Sequence, residues 1–444
     1  MRDAHAQKGL SRPDFTRLIR EDLKPSLGVS EPGAIALAVS RARSLTRGAI
    51  RSVLLEVNSG IYKNAFTCGI PNTNETGNLF AAALGAVAGD WTRGLAALDG
   101  VGEAEAAKAR ELVAAGGVRV KLRKISSDLY LKATVRTGSD RAEVTIRDSH
   151  ANITRIVHNG KAIPAGAEKT GVPGEGGSAP ASLAGCRLAD FWDYARRVPG
   201  KEIGFIWEAY KLNLALMEEG VGNSRAVICK ELLAENGGGP VSGDPLRSAH
   251  AMTAAAIEAR VRGLGLPAMS ITGSGNHGII CTLPLYARVR AGGGRLPRLK
   301  LLRATALSHL VTMFIKEHSG KLSAFCGCAV AAGTGTAAGW LFLAGGDLEQ
   351  AGLTINNMAS GLAGVICTGG NPACVLKAAA ALDLADKAVR LALRGLAVEP
   401  EHGINGDTPE QTMRNIGRIA CPGMTGTEKT ILEIMEGKSR RFPR

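Results

Sequence analysis

The chain has 444 residues, enough for about two or three domains with a substantial core, and its 45% hydrophobic and 21% charged residues are typical of a globular protein. Nine cysteines are too few for a disulfide scaffold at this length, and an odd number favours a reducing compartment, so we expect a cytoplasmic protein. The net charge of +14 comes from dispersed Lys and Arg, which favours a solvated basic surface over nucleic-acid binding.

The first elements in chain order are helices. Residues 1–20 alternate charged and polar side chains and lack the apolar core of a signal peptide. A helix is predicted within residues 12–26, ending before Lys24-Pro25, and a second helix is predicted from Gly33 to about Arg43, just after a proline. The most apolar stretch of the chain, Cys326–Gly346, is interrupted by glycines, which indicates a buried helix or helix pair. We therefore expect no membrane association.

The next segment alternates a strand with a polar turn and a helix. Residues Arg51–Asn58 have the apolar, β-branched composition of a strand, and Leu79–Ala88 has the alanine-rich composition of a helix. Between them, Ser59–Asn64 is a polar segment that directly follows the strand. We predict a turn there, where a ligand could bind.

The chain then changes from strands to helices. Residues 117–162 contain four segments of alternating apolar and polar residues separated by short turns, which predicts a small antiparallel sheet. Residues 164–185 are rich in Gly, Pro, Ser and Ala and are interpreted as a linker. Helical patterns dominate from Leu188 onward. We therefore predict an α+β fold, with a smaller α/β part over 1–187 and a mainly helical part over 188–444.

Three cysteines near the C-terminal end suggest a metal cofactor. Cys328 follows Cys326 in a Cys-Gly-Cys segment, and Cys367 and Cys374 bracket a loop that contains Gly, Asn and Pro. No Cys-x-x-Cys pair occurs, which disfavours a structural zinc site, whereas three thiolates on two segments suit an iron–sulfur cluster with one open iron. The alternative is three reduced cysteines that only pack in the core.

The segment Gly273–Gly278 matches the pattern Gly-x-Gly-x-x-Gly. It is a weak dinucleotide motif, because the following Ile279–Tyr286 has a more strand-like than helical composition and no acidic residue lies about 20 residues further on. The glycines could instead form a backbone nest for a substrate carboxylate, with His277 as a titratable group. The alternative is a tight turn with a surface histidine. Lys63 is a second candidate base or carboxylate clamp, or else an exposed turn lysine.

These segments together resemble one family over almost the whole chain, the L-cysteine desulfidases, which are related to the alpha-chain domain of bacterial iron–sulfur L-serine dehydratases. The matching motifs occur in the same order and are Lys24-Pro25 to Glu31-Pro32, Ser59–Asn64, Gly69-Ile70-Pro71, Thr272–Gly278, Cys326–Gly333, Gly364–Cys367 and Pro422-Gly423-Met424. The resemblance implies a [4Fe-4S] cluster held by three cysteines. It also implies β-elimination from a small amino acid to a 2-oxo acid and ammonia, without pyridoxal phosphate.

The resemblance also implies roles for individual cysteines. By alignment the cluster ligands are Cys367, Cys374 and one of the pair Cys326 and Cys328. Cys328 is favoured because the run Cys-x-x-Ala-Ala-Gly begins there. The family usually carries a cysteine, thought to be a base or a fourth cluster ligand, at the place of Val29. Valine can serve neither purpose.

The departure at Val29 leaves the substrate and the base open. The candidate bases are Lys63, His277 and Cys68, the last of which stands where the family usually has an apolar residue. The candidate substrate-binding residues come from the two polar segments and are Ser59, Asn64, Ser274 and Asn276. The alternatives are a lyase acting on a different amino or hydroxy acid and a non-catalytic iron–sulfur sensor. We also expect a homo-oligomer, most simply a dimer.

Overall fold

Helices make up most of the fold. The structure, a computed structural model, describes residues 10–164, 182–293, 297–320 and 322–441. Before residue 117 the helices are α1 (Arg12–Asp22), α2 (Ser30–Arg43), α3 (Ser59–Asn64), α4 (Gly77–Val87) and α5 (Glu103–Ala114). After residue 187 they are α6 (Leu188–Arg197), α7 (Gly200–Ile203), α8 (Trp207–Gly222), α9 (Ile228–Glu235), α10 (Pro245–Val261), α11 (Gly275–Ile280), α12 (Leu283–Ala291), α13 (Arg298–Ser319), α14 (Gly333–Ala344), α15 (Leu348–Leu362), α16 (Ala373–Ala392), α17 (Pro409–Arg418) and α18 (Thr425–Arg441).

The strands form one large sheet and one short pair. They are β1 (Lys24–Leu27), β2 (Ser52–Asn58), β3 (Val118–Lys124), β4 (Tyr130–Arg136), β5 (Arg141–Arg147), β6 (Ile153–His158), β7 (Lys161–Ile163) and β8 (Pro267–Ser270). The large sheet has the order β3-β2-β4-β5-β6-β7, and β1 pairs antiparallel with β8. Helices and mixed sheet together confirm the predicted α+β class.

The sheet differs from the prediction at one edge. Residues 117–162 do contain strands, but β3 and β4 are not neighbours, because β2 lies between them. β2 runs parallel to β3, with Val53 opposite Val118, and antiparallel to β4. The connection from β2 to β3 contains α4 and α5 and is therefore long enough for the crossover that a parallel pair needs. The sheet is mixed, not purely antiparallel.

Helix α2 is the element that places the N-terminal part of the site. It packs against α4 and against strands β4 and β5 of the sheet, and it is buried on nearly all sides, as expected for a helix of mostly small and apolar residues. A Cβ atom on Gly85 of α4 would lie 2.9 Å from the Cα of Ala36. Only glycine permits this close approach of the two helices.

Two local predictions of secondary structure are wrong. Ser59–Asn64 forms the short helix α3, not a turn, because the Asn58 side chain accepts a hydrogen bond from the N–H of Ile61 at 3.3 Å and caps the helix. Ile279–Tyr286 is helical, since it spans the end of α11 and the start of α12, where Pro284 occupies the first turn. Its apolar side chains are buried, which explains the misleading strand-like composition.

The helical part beyond residue 187 is built around α10, α13, α14 and α16, which pack on one another and on their neighbours. One continuous core joins side chains from both predicted parts, for example Ile35 and Phe314. The predicted linker 164–185 lies largely outside the described residues, and the division into two domains stays a prediction. Within the described ranges, no helix has the length and apolar character to cross a membrane.

Candidate functional site

The two cysteine-bearing segments are joined by a short piece of antiparallel backbone pairing. Phe325 and Ile366 form an isolated β-bridge. The N–H of Cys326 donates to the carbonyl of Val365 at 2.7 Å, and the N–H of Cys367 donates to the carbonyl of Ala324 at 2.6 Å. This pairing brings cysteines that are about 40 residues apart in the chain to one place.

The four thiols of these segments influence one another. A hydrogen bond from the Cys328 thiol, helped by Lys377 and by backbone N–H groups, lowers the pKa of Cys326 to about 6. The same hydrogen bond raises the pKa of Cys328, with further contributions from burial and from Cys374 and Cys367. Burial, and then Cys326, raise the pKa of Cys374 to about 12. The four thiols are therefore close enough to influence one another electrostatically, and we treat them as one group; their role as cluster ligands stays a prediction.

The loop between Cys367 and Cys374 folds back onto α3 and onto the start of α2. Gly369 has a φ of +89°, and a Cβ atom there would lie 2.3 Å from the carbonyl oxygen of Lys63. The N–H of Gly370 donates to the carbonyl of Asn64 at 3.1 Å, and a Cβ on Gly370 would lie 3.1 Å from Val29 Cγ2. Val29, where the family resemblance places an extra thiol, thus borders the cysteine loop.

The sulfur group does not form a single-ion site. Within the described ranges, no three His, Cys, Asp or Glu side chains converge on a point that could hold one metal ion. An iron–sulfur cluster makes a different demand, because its thiolates bind different irons and need not converge. Cysteine thiols gathered beside glycine-containing backbone fit that demand. Lysine ammonium groups nearby add charge that favours thiolates.

His277 lies against the Cys-Gly-Cys segment. A Cβ atom on Gly327 would stand 2.5 Å from His277 Nε2, so glycine is needed for this contact. His277 Nδ1 is 2.6 Å from Thr272 Oγ1, and that hydroxyl donates to the carbonyl of Ile271. The hydroxyl therefore accepts from Nδ1–H, which leaves the Nε2 lone pair beside Gly327 of the Cys-Gly-Cys segment. Burial, Lys316 and Arg260 lower the pKa of His277 to about 3, so the imidazole is neutral.

The glycine loop before His277 is less available to an anion than predicted. The N–H of Thr272 donates to Asp22 Oδ2 at 2.5 Å, and the N–H of Ser274 donates to the carbonyl of Ile271 at 3.0 Å. Both N–H groups therefore already donate to acceptors within the protein. The loop instead packs on the start of α2, where Ser30 Oγ donates to the carbonyl of Gly273 at 3.2 Å. His277 is buried, so the surface-histidine alternative is wrong.

Glu31 is a buried carboxylate in the first turn of α2 that sequence analysis did not single out. Asn64 Nδ2 donates to its Oε1 at 2.8 Å, and His150 Nε2 lies 3.4 Å from the same oxygen. Burial would raise the pKa of Glu31, but His150 and Asn64 outweigh it and lower the pKa to about 2. The only signal in the sequence is a Glu-Pro pair typical of a helix start. Such a pair does not show whether the glutamate is exposed at the helix end or buried.

Arg260 is a second buried charge that was missed. It lies near the end of α10, 3% exposed, and its Nη1 donates to Asn276 Oδ1 at 3.0 Å. A Cβ atom on Gly275 would lie 2.3 Å from Arg260 Nε, so Gly275 makes room for the guanidinium. Burial lowers the pKa of Arg260, and Glu31 and the thiols of Cys328 and Cys374 oppose that change. Arg260 therefore lies near both the carboxylate and the cysteines.

Two lysines place positive charge beside the cysteines. Lys316 on α13 is buried, and burial lowers its pKa to about 8 against the opposing influence of Cys367 and Cys328. Lys377 on α16 donates from Nζ to Thr368 Oγ1 at 2.8 Å, next to Cys367. Both are lysines of long helices, where a lysine normally faces solvent. The sequence alone therefore gave no reason to choose them.

Two of the predicted site residues, Lys63 and Ser59, have other partners, and a third, Cys68, is buried and neutral. Lys63 is 1% exposed and pairs through Nζ with Glu428 Oε2 at 2.6 Å, so the alternative of an exposed turn lysine is wrong, and its ammonium group already has an acidic partner. Ser59 is buried, and its Oγ donates to the carbonyl of Ser126 at 3.2 Å, which occupies the hydroxyl. Cys68 lies near Glu31, but burial and that carboxylate raise the pKa of its thiol and keep it neutral.

Asn64 and Asn276 both contact other residues of the candidate site, and their predicted role in substrate binding stays a prediction. Asn64 bonds to Glu31, and its Oδ1 is 3.8 Å from Cys367 Sγ. Asn276 contacts Arg260, as described above. Ser274 precedes α11, and its side chain makes no capping hydrogen bond. The two asparagines thus connect the buried charges to the cysteine loop and to the His277 segment.

The comparisons with known proteins decide the family. A family model described as the serine dehydratase alpha chain matches residues 92–433. The chain belongs to the serine dehydratase alpha-chain family. Within the matched range lie the four grouped cysteines, His277 and Arg260, whereas Glu31 and Asn64 precede it. The predicted relationship to the serine dehydratase alpha chain is confirmed, and the more specific resemblance to the L-cysteine desulfidases stays a prediction.

Relatives match this family member over nearly its whole length. A UPF0597 protein of Clostridium botulinum strain Langeland is 39% identical over 430 residues, which cover 95% of this chain and 98% of that relative. A UPF0597 protein of Caldanaerobacter subterraneus is 36% identical, covering 95% of this chain and 97% of the relative. A UPF0597 protein of Methanocella arvoryzae is 35% identical, covering 97% of this chain and 100% of the relative. The N-terminal segment that carries Glu31 is therefore shared with full-length relatives.

Proposed function

We propose that this protein is an iron–sulfur-dependent lyase that eliminates the β-substituent of a small amino acid and gives a 2-oxo acid and ammonia. The observation that carries the proposal is the group formed by the thiols of Cys326, Cys328, Cys367 and Cys374. It lies beside the neutral imidazole of His277, in a member of the serine dehydratase alpha-chain family.

Cys367, Cys374 and Cys328 are the proposed cluster ligands, with Cys326 as the alternative to Cys328. When bound through three thiolates, a [4Fe-4S] cluster supplies an open iron that serves as a Lewis acid for the leaving group. The chain contributes charge around the ligands, because Lys316 and Lys377 lie close to the thiols. Positive charge of this kind favours thiolates, and at Cys374 it opposes the burial that raises the pKa of the thiol.

His277 is the proposed base for the α-proton. Its Nδ1–H is held by Thr272, and its Nε2 lone pair faces the Cys-Gly-Cys segment. A neutral imidazole oriented in this way can accept a proton at Nε2. Burial and the positive charge of nearby Lys316 lower the pKa of His277, so the protonated imidazole readily releases the proton again. Loss of the α-proton and the β-substituent gives a 2-aminoacrylate, which becomes an imine and hydrolyses to the 2-oxo acid and ammonia.

The leaving group is proposed to be an oxygen or sulfur substituent, as in serine or cysteine. Val29 presents only methyl groups to the cysteine loop, so no thiol at this place assists the departure of sulfide. This favours an oxygen leaving group, as the family name serine dehydratase also suggests. L-Cysteine is the second candidate substrate, on the resemblance to the desulfidases.

The test is anaerobic purification followed by iron and sulfide analysis and a screen of amino and hydroxy acids for 2-oxo acid release. We expect about four irons and four sulfides per chain, and release of 2-oxo acid from a small L-amino acid. Protein that binds no iron under these conditions would contradict the cluster. Iron-loaded protein without any turnover would instead support the sensor alternative.

A further inference from the structure

We infer that Glu31 and Arg260 form a receptor for the zwitterion of a free α-amino acid, in which Glu31 binds the ammonium group and Arg260, with Asn276, binds the carboxylate. The inference rests on the proposed function, since it assigns the substrate-binding part of the same site. It selects an α-amino acid over the hydroxy acids that the sequence left open.

The Glu31 side presents an acceptor for a cation. Both side-chain partners of this carboxylate, Asn64 and His150, contact Oε1. Among the described residues no side chain forms a hydrogen bond with Oε2. A charged acceptor that is 6% exposed and held on a rigid helix suits an ammonium group, which needs close, charge-assisted hydrogen bonds.

The Arg260 side presents donors for an anion. Asn276 must turn its Oδ1 towards the guanidinium, because Arg has only donors, and this leaves Asn276 Nδ2 as a further donor. Arg260 Nε is buried and has no hydrogen-bond partner in the described structure. The guanidinium and the amide together match the planar carboxylate of an amino acid.

The two charges do not neutralise each other directly. Glu31 and Arg260 are close enough to interact electrostatically, but no Asp or Glu of the described chain forms an ion pair with Arg260. Two buried, opposite and separated charges are costly, because each has lost solvent and neither is in direct contact with the other. A molecule that carries both opposite charges at a short separation removes this cost at once.

The receptor lies beside the sulfur group. Cys328 and Cys374 act electrostatically on Arg260, and Asn64 connects Glu31 with Cys367. An amino acid held at both charged groups is thereby placed next to the cysteines. A hydroxy acid would carry a net negative charge into the same place and would meet the ionised Glu31 with a hydroxyl only, so the zwitterion is preferred.

Calorimetric titration of the anaerobically prepared full chain tests the receptor with ligands that lack a leaving group. L-Alanine carries both charges, L-lactate lacks the ammonium, and L-alaninamide lacks the carboxylate. We expect L-alanine to bind about tenfold or more tightly than either analogue, the ratio that loss of one hydrogen bond to a charged group implies. Equal affinities of L-alanine and L-lactate, or no binding of L-alanine at tens of millimolar, would overturn the inference.

Two variants assign the two ends. Glu31→Gln should raise the Kd of L-alanine about tenfold or more without weakening L-lactate, and Arg260→Gln should weaken both. The matched control is Glu258→Gln, because Glu258 is equally buried but binds the N–H groups of Val227 and Cys229. An unchanged ratio of L-alanine to L-lactate affinity in Glu31→Gln would overturn the inference. If that variant does not fold, the ligand series on the unmodified chain decides alone.

The receptor and the lyase can fail separately. If the binding pattern is found but no amino acid yields a 2-oxo acid, the receptor stands and the proposed reaction falls. If 2-oxo acid is released and Glu31→Gln retains the full kcat/KM, the reaction stands and the receptor falls.

Discussion

The two sides of the candidate site are built from different kinds of structure. Cys326 and Cys367 stand on irregular segments that one β-bridge joins, Cys328 begins a single helical turn, and Cys374 lies in the first turn of α16, just after the glycine-containing loop. Glu31, Arg260 and Lys316 instead stand on the long helices α2, α10 and α13. Irregular segments can wrap a bulky inorganic group, whereas packed helices hold single charges at fixed positions. Loss of a thiol should therefore remove the cofactor. Loss of a charged side chain on a helix should leave the cofactor bound and weaken the binding of the small ligand.

The largest effect is expected from the cysteine side. Cys367→Ser or Cys374→Ser should reduce the iron content from about four per chain to nearly none and bleach the brown colour, because three thiolates are the minimum for such a cluster. Cys229→Ser is the control, since this buried thiol only bonds the carbonyls of Gly220 and Ala226. Full colour in both loop variants would contradict the assignment.

The pair Cys326 and Cys328 provides a second comparison on the same side. Only one of the two serine substitutions should abolish iron binding, since the proposed cluster takes one ligand from this segment. Cys328→Ser is expected to do so. Cys326→Ser should retain iron, and the reverse result would exchange their roles without affecting the cluster itself.

The buried ion pair between Lys63 and Glu428 tests whether a predicted base is structural. Lys63→Met should lower the free energy of unfolding by about 3–5 kcal/mol, because it leaves Glu428 buried and unpaired. The double variant Lys63→Met with Glu428→Leu should recover most of that loss in chemical denaturation. If the double variant regains stability but releases no 2-oxo acid, Lys63 would again be a candidate catalytic residue.

Gly369 tests how tightly the cysteine loop is held against α3. Gly369→Ala should cost about 1–2 kcal/mol for its positive φ, and it should also lose iron because the new Cβ would meet the Lys63 carbonyl at 2.3 Å. Gly345→Ala is the matched control, since Gly345 has a φ of +85° with nothing within 4 Å. Equal iron contents in the two variants would show that the contact does not position the loop.

The two sides also differ in what the sequence can predict. Cysteine is rare and reactive, so the spacing of Cys328, Cys367 and Cys374 is enough to indicate a shared site. Glu31 and Arg260 are common residue types on helices, and they become functional candidates only because the fold buries them. Burial of a single charge depends on long-range packing, which local sequence patterns do not encode.

The fold shows the same division between local and long-range information. The second helix and the strand that follows it were predicted closely, since caps, prolines and β-branched residues act locally. The position of β2 between β3 and β4 was missed, because strand order depends on the path of the connecting helices. The helical Ile279–Tyr286 has a strand-like composition, because a short buried apolar run has the same pattern of residues in a helix and in a strand.

Asn276 should show a smaller effect that is confined to the charged side. Asn276→Ala removes the partner of Arg260 Nη1 and the proposed donor to the substrate carboxylate, so the Kd of L-alanine should rise about tenfold. The iron content should not change, because the Asn276 side chain forms no hydrogen bond with a cysteine in the described structure. Loss of iron in this variant would show that the loop supports the cluster and not the ligand.

The smallest effect concerns Val29, where the two sides meet. Its methyl groups border Gly370 in the cysteine loop, so Val29→Cys would place a thiol beside the sulfur group. If a thiol here assists the departure of sulfide, Val29→Cys should raise hydrogen sulfide release from L-cysteine by a factor of about five, equivalent to about 1 kcal/mol. Cys68→Ala should change neither this rate nor that of L-serine by more than about twofold, because the Cys68 thiol is buried and held neutral. Efficient sulfide release by the unmodified protein, with no gain in Val29→Cys, would show that the residue at 29 does not select the leaving group.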